Sequence, residues 1–93
     1  GGKVKQPALL SRIGPVYPVL AVESHVEGVV ILELVVGREG RVEDARILRS
    51  IPLLDRAAID AVRQWQYAPL LVNDQPARFI VTVTVTFKLE AAT

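Results

Sequence analysis

Side chains able to carry acid–base or metal chemistry are concentrated at one point of the chain. His25 is the only histidine, and Glu23 and Glu27 stand two residues away on either side. An imidazole between two carboxylates could bind a metal or transfer protons. The segment falls between two short predicted elements, which favours an exposed loop histidine over a catalytic one.

The other candidates for chemistry are weaker. The chain has no cysteine, which excludes a thiol nucleophile, a disulfide and a zinc–thiolate site. Glu43 and Asp44 form a carboxylate pair beside a turn, where solvation is expected. Gly37 and Gly40 close a hairpin, whereas a phosphate-binding loop leads from a strand into a helix. We therefore predict that the protein is not an enzyme and holds no metal or cofactor.

A nucleic-acid or glycan surface is also disfavoured. Eleven basic and ten acidic residues give a formal net charge of +1, which is not the basic footprint that a phosphate backbone requires. Trp65 and Tyr67 could stack on a base or a sugar, but Trp65 lies on an apolar stripe and is assigned to the core. A split β-α-β RNA-binding module would need aromatic residues on its open sheet face, where this chain has threonines.

The chain is long enough for one small domain. It has 93 residues, of which 51% are hydrophobic, so a core can form. Prolines and a glycine interrupt the first segment, and we divide the chain into an extended N-terminal arm at residues 1–16, a folded domain at residues 17–90 and a tail at residues 91–93. No run approaches the roughly 18 apolar residues of a membrane span.

The main helical pattern covers residues 54–69. At 100° per residue, one stripe of this segment holds Leu54, Ala57, Ala58, Ala61, Val62 and Trp65. We expect Trp65 at the end of the helix, where its indole supplies much of the buried area. Pro69 closes the unit, because the residue before a proline is pushed out of helical geometry. A shorter helix is predicted over residues 18–24, with Pro18 at its start.

Two strands have a clear pattern. Residues 29–36 are apolar on both faces apart from Glu33, which is typical of a strand with neighbours on both sides. Residues 78–89 alternate strictly between apolar and mostly polar side chains, so one face is core and the other is wet.

Turn residues define the remaining strands. Residues 37–40 predict a tight turn with Gly40 at positive φ, followed by a returning strand at residues 41–49. The apolar positions of that strand break period two, and one bulge near Glu43 and Asp44 would restore the register. A small hairpin is predicted around Asn73 and Asp74.

These elements predict an α+β fold. The helix between the second and third strands must cross the sheet, which gives a three-stranded antiparallel sheet of order 2-1-3 with two helices packed on one face. The last strand then lies on an edge, where it is a template for another chain's backbone. Its threonine face is either an ordinary solvated surface or a docking surface, and the pattern alone leaves both open.

The sequence resembles the TonB C-terminal domain family from about residue 9 to residue 89. The residues that carry the resemblance, in order, are Tyr17-Pro18, Ala21, Gly28, Gly40-Arg41-Val42, Ser50, Leu54-Asp55, Ala57-Ala58, Ala61-Val62, Trp65, Tyr67, Pro69 and Val85-Thr86-Phe87. The resemblance implies a periplasmic domain of a longer protein that has an N-terminal transmembrane anchor and a proline-rich spacer. Such a protein links a proton-driven inner-membrane motor to outer-membrane transporters.

The resemblance also implies a binding site. In the family, the N-terminal segment of the transporter is added as a strand beside the last strand, and the segment before Tyr-Pro contacts the same partner. The matching residues here are Phe79, Ile80, Val81, Thr82, Val83, Thr84, Val85, Thr86 and Phe87, with Gly14, Pro15, Val16, Tyr17 and Pro18. The family's glutamine–proline pair is absent, since Gly14 precedes Pro15. We assign Gly40, Leu54, Ala58, Ala61 and Trp65 to the structural core.

A different class of function remains open. The same edge could serve a homotypic or heterotypic assembly module of another envelope-spanning machine, for example as a homodimer that exchanges its last strands.

Overall fold

The computed structural model describes residues 6–90, in which short helices and strands form a mixed fold. Their bounds, in chain order, are β1 at Leu9–Ser11, α1 at Val19–Glu23, β2 at Gly28–Val36, β3 at Val42–Arg49, α2 at Pro52–Val62, β4 at Gln66–Tyr67, β5 at Leu70–Val72, β6 at Gln75–Ala77 and β7 at Phe79–Phe87. Within residues 6–90, no helix has both the length and the apolar character needed to cross a membrane. The tail predicted at residues 91–93 and the first five residues of the arm lie outside the described residues.

The principal sheet has the order β3-β2-β7, and both pairings are antiparallel. The buried face of its central strand consists of Val30, Leu32, Leu34 and Val36. Ala21 of α1 and Leu54 and Ala58 of α2 join the same core cluster, so both helices pack on this face. The predicted α+β fold, with an antiparallel sheet and two helices on one face, is confirmed.

The predicted end of the longer helix is wrong. α2 ends at Val62, and Trp65 lies beyond it, although its side chain is only 4% exposed. The backbone N–H of Trp65 donates to the carbonyl of Val62 at 3.1 Å, a tight turn that keeps the indole over the core. Gln66 and Tyr67 then leave helical geometry because they pair with β1. Tertiary pairing therefore overrides the helical periodicity at this point.

The irregular strand contains the predicted bulge. Between Val42 and Asp44, β3 has one residue more than its partner strand, and the extra residue is Glu43. A second irregularity, at Leu48, was not predicted from the sequence. The residues at both sites are exposed or half-buried, so the outer edge of β3 is broken at two places.

The turn before β3 is held against β4. Gly40 has φ +83°, and its carbonyl accepts the N–H of Tyr67 at 2.8 Å. A Cβ on Gly40 would overlap the carbonyl oxygen of Tyr67. Both the conformation and the close approach therefore require glycine.

Two tyrosines pack at opposite ends of β7. The Tyr67 ring stands edge-on to Phe79 at 5.7 Å, and the Tyr17 ring stands edge-on to Phe87 at 5.4 Å. Burial raises the pKa of both hydroxyls; the carboxylate of Glu27 raises the pKa of Tyr17 further, while Arg12 partly opposes the rise at Tyr67.

Replacing Gly40 by alanine should lower the free energy of unfolding by about 2–4 kcal/mol, since the backbone of β4 must move and the left-handed conformation becomes strained. Chemical denaturation monitored by tryptophan fluorescence measures this change. Gly14→Ala is the matched control, because a Cβ there has no neighbour within 4 Å, and its effect should stay within about 0.5 kcal/mol. Equal effects of the two substitutions would contradict the assignment.

The raised tyrosine pKa values should make the fold sensitive to alkali. The folded state holds protons that the unfolded chain releases above about pH 10, so stability is full below that pH and falls as the pH rises through it. Tyr67→Phe retains the ring and removes the ionisation, and it should flatten the decline in the free energy of unfolding between pH 9 and pH 11. Identical pH profiles for the variant and the parent would refute this prediction.

Candidate peptide-binding edge

The regular strand β7 has one side without a strand partner among the described residues. It pairs with β2 over nine consecutive positions, from Phe79 opposite Val36 to Phe87 opposite Gly28, with no bulge. No other strand of residues 6–90 pairs with it. Its outer side is therefore a straight row of backbone groups available to another chain.

The turn that precedes β3 determines which backbone groups of β7 point outward. The N–H of Gly37 donates to the carbonyl of Arg41 at 2.8 Å, so Gly37 points toward β3 and the even-numbered residues of β2 point toward β7. Each even-numbered residue of β2 is paired with an odd-numbered residue of β7. The outward N–H and C=O groups consequently belong to Ile80, Thr82, Thr84 and Thr86. Leu89 fits this alternation, because its N–H points back to the carboxylate of Glu27 at 2.7 Å.

The side chains along this edge are uncharged. Ile80, Thr82, Thr84 and Thr86 are exposed on the face opposite the helices, while Val81, Val85 and Phe87 are buried. Charged residues flank the strand but do not interrupt it. One of them, Arg78, pairs with Glu43 at 2.8 Å. An added strand would therefore be held chiefly by backbone hydrogen bonds and by contacts with threonine and isoleucine side chains.

The opposite edge of the sheet is protected. β3 carries two bulges and a series of exposed charges at Glu43, Asp44, Arg46 and Arg49. Bulges and charges are the usual devices that prevent strand addition. The sheet therefore offers one open edge, at β7.

The predicted contact residues of the arm are only partly brought to this edge. The Tyr17 hydroxyl donates to the carbonyl of Val26 at 2.5 Å, which holds its ring against Phe87 at the end of β7. Gly14, Val16 and Pro18 instead line a cleft of about 510 Å³ beside α2, and the Val16 side chain is 82% exposed. Pro15 is half-buried between them.

The residues considered for catalysis are not assembled into a site. His25 is exposed in the loop between α1 and β2, with φ +55°. Among residues 6–90, no three His, Cys, Asp or Glu residues are grouped so that they could hold a metal ion. Glu43 accepts a hydrogen bond from Arg78, and Asp44 is exposed.

Two contacts between the arm and Trp65 were not anticipated from the sequence. The indole N–H of Trp65 donates to the carbonyl of Ile13 at 2.9 Å, and the Arg12 guanidinium lies 5.0 Å from the centre of the Trp65 ring. The partners are more than 50 residues apart in the chain, and neither local pattern nor spacing indicates such a contact.

Comparison with known proteins identifies relatives over nearly the whole chain. Residues 13–89 match the family model described as the Gram-negative bacterial TonB protein C-terminal region. Protein TonB of Vibrio cholerae is 31% identical over 94% of this chain, that of Escherichia coli K12 is 35% identical over 94%, and that of Xanthomonas campestris is 40% identical over 81%. The chain spans only 34% to 37% of the length of these three relatives.

A solved structure has the same fold. The solution structure of the Pseudomonas aeruginosa TonB C-terminal domain superposes with a TM-score of 0.75 at 27% sequence identity, and the match covers 92% of this chain and 89% of that one. The family match and the shared fold confirm the resemblance, and the chain belongs to the family of Gram-negative bacterial TonB C-terminal domains.

Proposed function

We propose that this chain is the periplasmic coupling domain of a TonB-like energy transducer, and that it binds the N-terminal segment of an outer-membrane transporter by strand addition to β7. The proposal includes a longer protein that is anchored in the inner membrane and driven there by a proton-powered motor. Its relatives are proteins named TonB, which supports the general role. The domain acts by binding, without catalysis or a cofactor.

The observation that carries the proposal is the contrast between the two edges of one sheet. The β7 edge is straight, uncharged and proline-free over nine residues, whereas the β3 edge is bulged and charged. A partner in an extended conformation gains main-chain hydrogen bonds from Ile80, Thr82, Thr84 and Thr86. Its side chains then alternate between the threonine face and the side occupied by Tyr17.

The alternative function is an assembly module of another envelope machine, in which two copies pair through β7 or exchange it. The same open edge supports this alternative. Light scattering over a concentration series separates the two, because a protein that stays monomeric at high concentration has no tendency to pair through its own edge.

The first experiment is an amide chemical-shift titration with synthetic peptides that cover the N-terminal segments of outer-membrane transporters. Amide hydrogen exchange is then compared with and without the bound peptide. Strand addition should slow the exchange of Ile80, Thr82, Thr84 and Thr86. The exchange of the odd-numbered residues between them should stay unchanged, because their N–H groups are already bonded to β2. Shift changes confined to the β3 edge, or the absence of any change with a folded monomer, would overturn the proposal.

Thr84→Pro should weaken peptide binding by about tenfold or more, because proline removes an outward N–H and places its ring where the added strand must lie. Isothermal titration calorimetry measures the change in Kd. The matched control is Ala45→Pro, at an outward-facing position of the β3 edge, which carries the same backbone penalty in a different strand. Thr84→Ser, which preserves the backbone, should bind like the parent. Equal weakening by both prolines would show that the loss arises from general destabilisation.

A further inference from the structure

The segment before Tyr17 is docked along its length. In β1, Leu9 is paired with Tyr67 and Ser11 with Gln66 of β4. The N–H of Ala68 donates to the carbonyl of Ala8 at 2.9 Å, which extends this short pairing. The start of the arm is thus fixed to the strand that follows α2.

Trp65 fixes the next part of the arm. Its indole is buried against the core, and its N–H reaches outward to the carbonyl of Ile13 at 2.9 Å. The Arg12 guanidinium lies over the same ring at 5.0 Å, within the range of a cation–π contact. One aromatic side chain therefore contacts two consecutive residues of the arm, through its edge and through its face.

Tyrosine rings connect the two ends of the arm with the two ends of β7. Leu9 is paired with Tyr67, whose ring packs on Phe79, while the ring of Tyr17 packs on Phe87. Residues 9–17 and residues 79–87 contain the same number of residues, and either segment spans about 27 Å when extended. The start and the end of the arm are therefore linked to the two ends of β7 through tyrosine rings, while Gly14 and Val16 between them line the cleft beside α2.

Apolar burial contributes little to this docking. Leu10 is 64% exposed and Ile13 is 41% exposed, so the hydrophobic side chains of the arm leave much of their surface in water. The backbone pairing with β4 and the directed contacts with Trp65 must then supply much of the attachment.

We infer that Trp65, together with Arg12, is a positioning clamp that holds residues 9–13 in place and thereby keeps docked the arm that leads to Tyr17 at the end of β7. The docking role of Trp65 is independent of the proposed function. The further step, that a docked arm favours binding of the added peptide, rests on that function. An undocked arm must be ordered again when peptide binds, and the apparent Kd rises by the reciprocal of the docked fraction.

The clamp is tested first without a ligand. Trp65→Phe keeps an aromatic ring in the core and removes the indole N–H, while Arg12→Gln removes the cation over the ring. Both should accelerate the amide exchange of Ala68, whose N–H is bonded to the arm, by about fivefold or more, with little change in the exchange of β2 amides. The control is Arg63→Gln, which removes the same charge from an exposed position and should leave the exchange of Ala68 unchanged. Unchanged exchange in Trp65→Phe would overturn the inference.

A disulfide rescue then separates positioning from general stability. Ser11 and Gln66 are cross-strand partners, and the natural chain contains no cysteine. Introducing Ser11→Cys and Gln66→Cys together into the Trp65→Phe variant can therefore form only one disulfide bond within the chain. When the bridge is reduced, the transporter peptide selected in the titration should bind about fivefold more weakly than to the parent. Oxidation should restore the Kd to within about twofold, because the arm is held again without the indole N–H.

The outcomes distinguish the two proposals. Peptide binding that stays weak after oxidation, with the arm amides protected, means that Trp65 acts only through the core and overturns the positioning role. Accelerated exchange of Ala68 in Trp65→Phe, combined with no peptide binding by the parent, supports the clamp and overturns the proposed function instead.

Discussion

The register of the central strand β2 is the constraint on which the rest of the structure depends. Its even-numbered residues form the buried face on which both helices pack, and their backbone groups bond to β7. The turn at Gly37–Gly40 fixes this alternation, and Gly40 also bonds to Tyr67 of β4. A shift by one residue would expose the core face and would also reverse which groups of β7 point outward. Core packing and the chemistry of the open edge are therefore set by the same alternation.

Much of the fold could be predicted from local patterns because its main strands repeat with period two. The alternation of residues 79–87, the doubly apolar β2 and the glycine turn each indicate one structure without reference to the rest of the chain. The bulge at Glu43 was also predictable, since only an extra residue reconciles the apolar positions of β3 with a single buried face. The open edge at β7 follows from the strand order alone, and no further sequence pattern is needed to predict it.

The features that the sequence did not predict correctly share a different cause. The sequence of residues 63–65 continues the helical stripe, and only the pairing of Gln66 and Tyr67 with β1 ends the helix earlier. The docking of the arm has no local signal either, because Trp65 and Ile13 meet across a sequence separation of 52 residues. Pro7 and Gly14 indicate an extended segment but not what it lies against. The end of α2 and the docking of the arm are thus determined by contacts between distant segments, which sequence periodicity does not reveal.

The length of the β7 edge also bears on what can occupy it. Two copies that pair antiparallel through β7 are related by a two-fold axis normal to the sheet, so their helix layers lie on the same face. A nine-residue edge gives little of the roughly 800 Å² per partner that a stable dimer buries. A single extended peptide brings no helix layer with it, and it can pair with the outward backbone groups of Thr82 and Thr84. The small size of the edge therefore favours a peptide over a second copy of the domain.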